Sequence, residues 1–504
     1  MIPQRENSSR FRRRALSHLR RLSVNAALQI GGQVFPLLAG AAAIPVVYRH
    51  LGHADFGIFT IGLSVLGLIS LIDLGLGRAS VLFAARSFAD GNPAAAASVV
   101  VNSAAYVGGF SLVLCLALII GAPAIAARWI QSQPAEHEIV RQCLCVLAAA
   151  VPFGGLTSVF RSVLEAREDF RRISLIQSTF GTLTYVVPSL LSFATADIRV
   201  IIGGAVICKI IAAAVFAASA LRAWPDGFPW NSINLRAQRE FRQFSFWSIT
   251  SNVVGAGIMY GDRVLLVRMF GLGEIPFYNI PLEMLGRMMI AVNSAATVIF
   301  PSLSRLSGNR VLIEDVYVAL VTLLSAIMGA ALLGLSIATP FCLDVWLGGQ
   351  FREHSTLVVR VLLVGMAFQC LNVFALATLN ARGFARPITL MHLLEVPFYF
   401  AALYSCGEHF GLVGVALVWS CRLIAEYCCF CGFQVHISKG HGARRQRIGL
   451  ALAACNALPV ALMTQTVGTA LAVLVCIVCM TASAAWALLE LREVQKGSSV
   501  VPGT

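Results

Sequence analysis

The sequence predicts an all-α polytopic membrane protein of about fourteen transmembrane helices. They are arranged as two parallel six-helix repeats followed by two further helices. Three observations carry that prediction. Of the 504 residues, 58% are hydrophobic and only 12% are charged, whereas ordinary soluble domains carry about a quarter charged residues. The apolar residues come in blocks of about twenty or more, long enough to cross a hydrocarbon core of roughly 30 Å as helices. Finally, the chain repeats itself. LGHADFGIF at Leu51–Phe59 returns as FGLGEIPFY at Phe270–Tyr278.

Taken in order, the apolar blocks are 24–48, 56–77, 98–127, 141–163, 173–195, 198–221, 243–269, 278–302, 315–343, 355–379, 387–406, 411–435, 448–466 and 468–489. The first follows a basic segment, RENSSRFRRRALSHLRR, and contains Gln29 and Gln33. A secretory signal peptide has a short basic region and a purely apolar stretch, so this helix is expected to stay in the mature chain. At a spacing of 219, Arg49 falls on Arg268, Gly52 on Gly271, Asp55 on Glu274 and Phe59 on Tyr278. Leu63, Leu66 and Gly67 then fall on Leu282, Leu285 and Gly286. A second echo, at a spacing of 215, relates Leu164–Leu175 to Leu379–Leu390. The first links the loops after helices 1 and 7, the second those after helices 4 and 10. Helices 1–6 and 7–12 therefore read as two copies of one unit. Because six is even, both copies enter the membrane in the same direction, which is a transporter signature.

The expected organisation is a basic cytoplasmic segment (1–23), an N-lobe (24–221), a cytoplasmic linker (222–242), a C-lobe (243–435), and helices 13–14 with a tail (436–504). The linker carries two tryptophans and two prolines and turns amphipathic from Leu235. The longest outer connections are expected at Arg128–Val140 and Asp344–Ser355, with no extramembrane domain.

Charge sets the orientation. With the basic start in the cytoplasm, 26 of the 38 Lys and Arg residues fall on that side, seven on the other and five within helices. Both termini are then cytoplasmic. The net charge of +14 is a topology signal and an attraction to anionic lipid, and no nucleic-acid partner is expected. All fourteen cysteines lie in or beside apolar segments. The C-x-x-C pairs at Cys428–Cys431 and Cys476–Cys479 lack nearby ligands, so they read as small apolar residues, with no metal and no disulfide expected. The glycines Gly255, Gly257 and Gly261 lie in an apolar helix with no preceding strand, which points to helix packing and not to a nucleotide loop. No Walker, D-x-D or H-E-x-x-H motif occurs. No cofactor is expected, and the chain is not expected to be an enzyme.

Several short runs, in chain order, carry a resemblance. They are Leu51-Gly52 to Gly57, Ser70-Leu-Ile-Asp73-Leu-Gly75-Leu-Gly77-Arg78-Ala79, Asp262-Arg263-Val-Leu-Leu, Trp346-Leu-Gly348-Gly-Gln-Phe351 and Gly411-Leu-Val-Gly414-Val-Ala416-Leu-Val-Trp419-Ser-Cys-Arg422. Together, over roughly Val24 to Val435, they resemble the O-antigen-type polysaccharide flippases of the multidrug/oligosaccharidyl-lipid/polysaccharide exporter superfamily. The resemblance implies two six-helix bundles around a central cavity in a bacterial inner membrane, moving an undecaprenyl-diphosphate-linked oligosaccharide outward by alternating access. The partners it implies are that substrate, membrane lipids, and polysaccharide polymerase and export proteins. Helices 13–14 exceed the commoner twelve-helix pattern.

Ionisable residues at membrane depth are costly and mark function by default. The basic ones are Arg78, Lys209, Arg263, Arg287 and Arg422; the acidic ones are Asp73, Asp262, Glu283, Glu395 and Glu426. A diphosphate headgroup calls for cations, and the guanidinium fork matches phosphate oxygens two at a time. The five basic residues are thus the substrate-binding candidates, and the acids are candidates for coupling or pairing. Glu283 with Arg287 and Arg422 with Glu426 are four apart, where each pair can neutralise itself. Arg263 has no opposite charge three or four positions away, while Lys209 and Glu395 have no partner nearby in sequence. Asp73 and Arg78 lie close enough to a helix end to reach the cytoplasmic interface. Two other functions fit the class. A multidrug extruder should present carboxylates to cationic drugs, yet helix 1 contains no acid. A membrane enzyme of polysaccharide assembly needs an extramembrane catalytic surface, which such short loops do not offer.

Overall fold

A computed structural model of the chain describes residues 3–71, 76–129, 134–224, 227–229, 257, 260–305, 310–381 and 385–437. Among them all regular structure is helical: α1 (Pro3–Leu71), α2 (Leu76–Ala89), α3 (Pro93–Trp129), α4 (Pro134–Ala166), α5 (Phe170–Ala194), α6 (Ile198–Leu221), α7 (260–270), α8 (Pro276–Arg305), α9 (Arg310–Leu347), α10 (Gly349–Ala381) and α11 (Ala385–Ile437). The expected helices 13 and 14 lie outside the described residues.

Seven helices among the described residues are long and apolar enough to cross a membrane. The chain is a multi-pass membrane protein. Large apolar side chains lie on its outside as well as in its core, and polar ones are buried beside that core. Ile120, Phe341, Phe398 and Leu394 are exposed, while Asn102, Ser103, Thr322, Asn372 and Glu426 are buried. Lipid solvates apolar side chains, so polar groups turn inward to one another. Prolines inside helices, such as Pro36, Pro152 and Pro397, are tolerated for the same reason, since neighbouring helices satisfy the freed backbone groups.

The chain forms two compact units, Met1–Pro276 and Phe277–Thr504. In the first, α1 packs on α5, α3 on α4, and α6 on both α4 and α5. One end of it is closed where α6 stops. Trp224 lies tilted against Phe88 and edge-on to Phe228, and its indole N–H donates to the Pro93 carbonyl at 3.0 Å. Arg167 donates to the Ala223 carbonyl and lies over the Phe88 ring. This end packs α2, α3, α4 and the start of the linker around Val100, Val107, Val159 and Val163. In the second unit α10 packs between α9 and α11, with Ala375, Leu379, Ile388 and Phe430 at one end of the α10–α11 seam.

The repeated corner has one geometry in both copies. Gly52 takes φ 72° and Gly271 takes φ 75°, a left-handed conformation that costs an L-residue about 1–2 kcal/mol and glycine almost nothing. The buried positions repeat as well: Phe56 with Ile275, Phe59 with Tyr278, Leu63 with Leu282 and Leu66 with Leu285 are all buried. The corners also meet. A Cβ placed on Gly57 would lie 2.0 Å from the carbonyl oxygen of Leu272, so the first corner admits the backbone of the second only where there is no side chain. α7, the first helix of the second sequence copy, belongs to the first compact unit. The sequence repeat therefore divides the chain at the linker, while packing divides it after α7.

Two expected outer connections turn out to be mostly helix. Asp344–Ser355 is the end of α9 and the start of α10, separated by Gly348 alone at φ 94°. The segment from Pro134 belongs to α4. α3, with 37 residues, is about 55 Å long, so these helices overshoot the apolar runs that reveal them. Polar residues beyond the hydrocarbon end the apolar pattern without ending the helix. In the second echo, Glu168 adopts φ 59°, where the matching residue of the other copy is Gly383.

Candidate functional site

The intramembrane charges fall into a small group on α7 and a larger cluster in the second unit. On α7, Asp262 is 1% exposed and Arg263 is 8% exposed. The Arg263 backbone N–H donates to Asp262 Oδ1 at 2.7 Å, and its guanidinium lies 4.4 Å from the centre of the Tyr260 ring. A cation over an aromatic face in a desolvated site gains about 2 kcal/mol, and the ring holds the planar fork in a fixed direction. Tyr260 is itself held. A Cβ on Gly67 would lie 3.0 Å from its hydroxyl oxygen, so the second helical part of α1 comes close enough to fix the phenol. By the 219-residue spacing, Asp262 and Arg263 correspond to Ala43 and Ile44, which are also buried. The charges were placed in one copy of a position that is apolar in the other.

The second unit contains the denser cluster. Within α8, Arg287 pairs with Glu283 at 3.1 Å, as the four-residue spacing permits. α11 is broken at Gly411, with φ 60° and ψ −148°, which separates His392 and Glu395 before the break from Arg422 and Glu426 after it. The four side chains meet. Arg422 Nη1 lies 3.6 Å from Glu395 Oε1 and 3.7 Å from Glu426 Oε2. His392 Nδ1 lies 3.5 Å from Glu395 Oε2, and its Nε2 lies 3.7 Å from Glu426 Oε1. From α10, Asn372 donates to the Leu423 carbonyl at 3.0 Å and to Glu426 Oε2 at 3.4 Å. The Arg422 guanidinium also lies 5.3 Å from the centre of the Tyr399 ring.

The expected site residues thus separate. Arg287 and Arg422 are engaged by carboxylates; Glu395, expected to lack a partner nearby in sequence, has one in His392 three residues before it on the same side of the break, and a second in Arg422 across the break. Arg263 is buried against an aromatic ring. Lys209 lies partly buried on α6 and is engaged in a further interaction. Arg78 lies on α2, with its side chain outside the described residues, as is Asp73 altogether. Among the described residues no group of His, Cys, Asp and Glu side chains is arranged to hold a metal ion. Sequence reasoning passed over His392, Asn372 and Tyr260. The available signal for His392 was its place three residues before Glu395 inside an apolar helix, since a histidine there needs a partner.

Helical membrane units with buried charge pairs, glycine corners and an internal parallel repeat define a secondary-transporter class. Comparison with known proteins makes that specific. The family model described as "Polysaccharide biosynthesis protein" matches residues 22–307, and the chain belongs to that family. A Shigella flexneri protein named "Putative O-antigen transporter" is 24% identical over 409 residues, covering 80% of this chain and 95% of that protein. Among solved structures, the lipid II flippase MurJ in an inward closed conformation matches with a TM-score of 0.67 at 14% identity, over 90% of this chain and 97% of that one. An inward-facing multidrug resistance MATE transporter of the MOP superfamily matches with a TM-score of 0.64 at 14% identity, over 87% of this chain and 100% of that one. The fold is the one these transporters share.

Proposed function

We propose that the protein is a flippase that carries an undecaprenyl-diphosphate-linked oligosaccharide outward across the bacterial inner membrane, as a step in surface polysaccharide synthesis. The observation that carries this reading is the family relation: the chain covers nearly all of an O-antigen relative and belongs to a polysaccharide-biosynthesis family. The two six-helix repeats, 24–221 and 243–435, joined by the linker at 222–242, alternate access by rocking, with α7 of the second repeat staying packed in the first compact unit. Both termini are cytoplasmic, in keeping with the basic bias of that side.

Arg263 is the cation that holds the diphosphate. It is buried, oriented by Tyr260, and part of the Asp262-Arg263-Val-Leu-Leu run. The guanidinium fork supplies two parallel donors to phosphate oxygens, each charge-assisted and worth about 1.5–3 kcal/mol. Lys209 and Arg78 are secondary candidates. Arg287 and Arg422, already held by carboxylates, set the local charge around the path. Polymerase and export proteins take over the sugar on the far side.

The test is genetic and chemical. In a host that assembles a surface polysaccharide, loss of the protein should abolish the polysaccharide while the lipid-linked intermediate accumulates facing the cytoplasm. A host that loses resistance to cationic drugs with its polysaccharide intact would instead mark a multidrug extruder.

A further inference from the structure

His392, Glu395, Arg422 and Glu426 close a ring across the break in α11. Going around it, each carboxylate faces both the imidazole and the guanidinium, and each of those faces both carboxylates, at 3.5–3.7 Å. The two ring nitrogens of His392 therefore point at two different carboxylates. A neutral imidazole has one N–H donor and one lone-pair acceptor. One of its nitrogens would then present a lone pair to a carboxylate oxygen, which is repulsive. With both carboxylates ionised, only the imidazolium, a donor at both nitrogens, suits both neighbours.

Charge counting leads to the same place. Two carboxylates and one guanidinium sum to −1, and one proton brings the ring to neutrality. A single uncompensated charge at membrane depth is expensive, so the ring as built calls for one proton. The polar atoms around it are still under-used. His392 Nδ1, Glu395 Oε2, Arg422 Nε and Asn372 Oδ1 are buried without a hydrogen-bond partner. Asn372 is 3% exposed and reaches into the ring through its other amide atom, 3.4 Å from Glu426. A metal cation is the poorer occupant, because the Arg422 guanidinium already stands between the two carboxylates.

We propose that this ring is a binding site for a single exchangeable proton, carried by His392 between Glu395 and Glu426. The groups facing His392 are these two acids on α11, with Arg422 and Tyr399 behind them, Asn372 from α10, and the Phe430 ring edge-on at 6.3 Å. The proton does mechanical work through the placement of its ligands. His392 and Glu395 lie before Gly411, Arg422 and Glu426 after it, and Asn372 on the neighbouring helix. Protonation holds the two halves of α11 and α10 together. Deprotonation leaves a net negative ring that gains by parting or by admitting water. Coupling of that motion to cargo rests on the transport reading above; proton binding itself does not.

The test therefore needs no substrate. The full chain in lipid nanodiscs, with isotope-labelled histidine rings, is followed by infrared difference spectroscopy as pH is varied. Wild type minus His392→Gln isolates one titrating imidazole. Glu426→Gln and Glu395→Gln each leave the ring neutral without a proton, so each should weaken proton binding at His392 about tenfold or more, a downward shift of its midpoint by at least about one pH unit. If His392→Gln does not accumulate, the difference between wild type and Glu426→Gln isolates the same ring, because the other eight of the nine histidines are not part of it. An imidazole signal that never titrates, or a midpoint that neither Gln variant moves, overturns the proposal.

Discussion

Gly57→Ala tests why the same corner occurs twice. The added methyl would lie 2.0 Å from the Leu272 carbonyl oxygen and 2.7 Å from its carbonyl carbon. That is more than 1 Å short of the 3.4 Å at which ordinary contact begins, and the obstacle is backbone, which cannot rotate away. Overpacking of this kind costs about 1–3 kcal/mol. Set against it is the gain of about 0.5–1 kcal/mol expected when alanine replaces a glycine within a helix. Gly203→Ala supplies the control, since Gly203 lies within α6 and its added methyl would meet nothing within 4 Å. Both variants share the helix-propensity gain, so their difference measures the collision between corners. Thermal scanning of the purified full chain, read as loss of the monodisperse peak, should place Gly203→Ala at or above wild type and Gly57→Ala clearly below it. Equal behaviour of the two would show that the corners do not bear on each other, and the packing account of the repeat would fall.

Arg263→Gln should remove surface polysaccharide at least tenfold while leaving protein abundance near wild type, with Arg263→Lys rescuing only in part because lysine keeps the charge and loses the fork. Normal transport by Arg263→Gln would end the diphosphate role, and failure to accumulate would make the residue structural. Reporter fusions after Gly497 and within Arg444–Arg447 should both report cytoplasm; an external signal from either would break the topology and the parallel repeat with it. Trp224→Phe keeps an aromatic ring against Phe88 and Phe228 and deletes the bond to Pro93, so it should cost about 0.5–1.5 kcal/mol of thermal stability. Trp224→Ala should cost about 3–5 kcal/mol, and equal losses would mean that the hydrogen bond, and not the ring, secures that end of the first unit.

What the sequence disclosed was whatever depends on neighbours along the chain. The corner glycines could be read because a left-handed turn needs a residue without a Cβ, and a need shared by two copies appears twice. The Glu283–Arg287 pair could be read because four residues bring side chains onto one helix face. Helix ends could not: Asp344–Ser355 looks like a loop by polarity yet is two helices and Gly348. The ring around His392 was hidden for a different reason. Glu395 and Glu426 are 31 residues apart, and only the reversal at Gly411 brings their helices together. Periodicity fixes which face a side chain occupies on its own helix, but not which other face it meets. The contrast between Arg263 and Ile44 needed both steps, since the repeat supplied the correspondence and burial showed that the two positions are equivalent.

The most direct test of the transport account is a reconstitution. The full chain is inserted into liposomes that contain a fluorescent undecaprenyl-diphosphate-linked oligosaccharide in both leaflets, and a membrane-impermeant quencher is then added outside. The account predicts that quenching continues past the outer-leaflet pool until nearly all of the labelled lipid is reached, at a rate that Arg263→Gln lowers at least tenfold. Quenching that stops at the outer-leaflet pool, as in liposomes without protein, would contradict it.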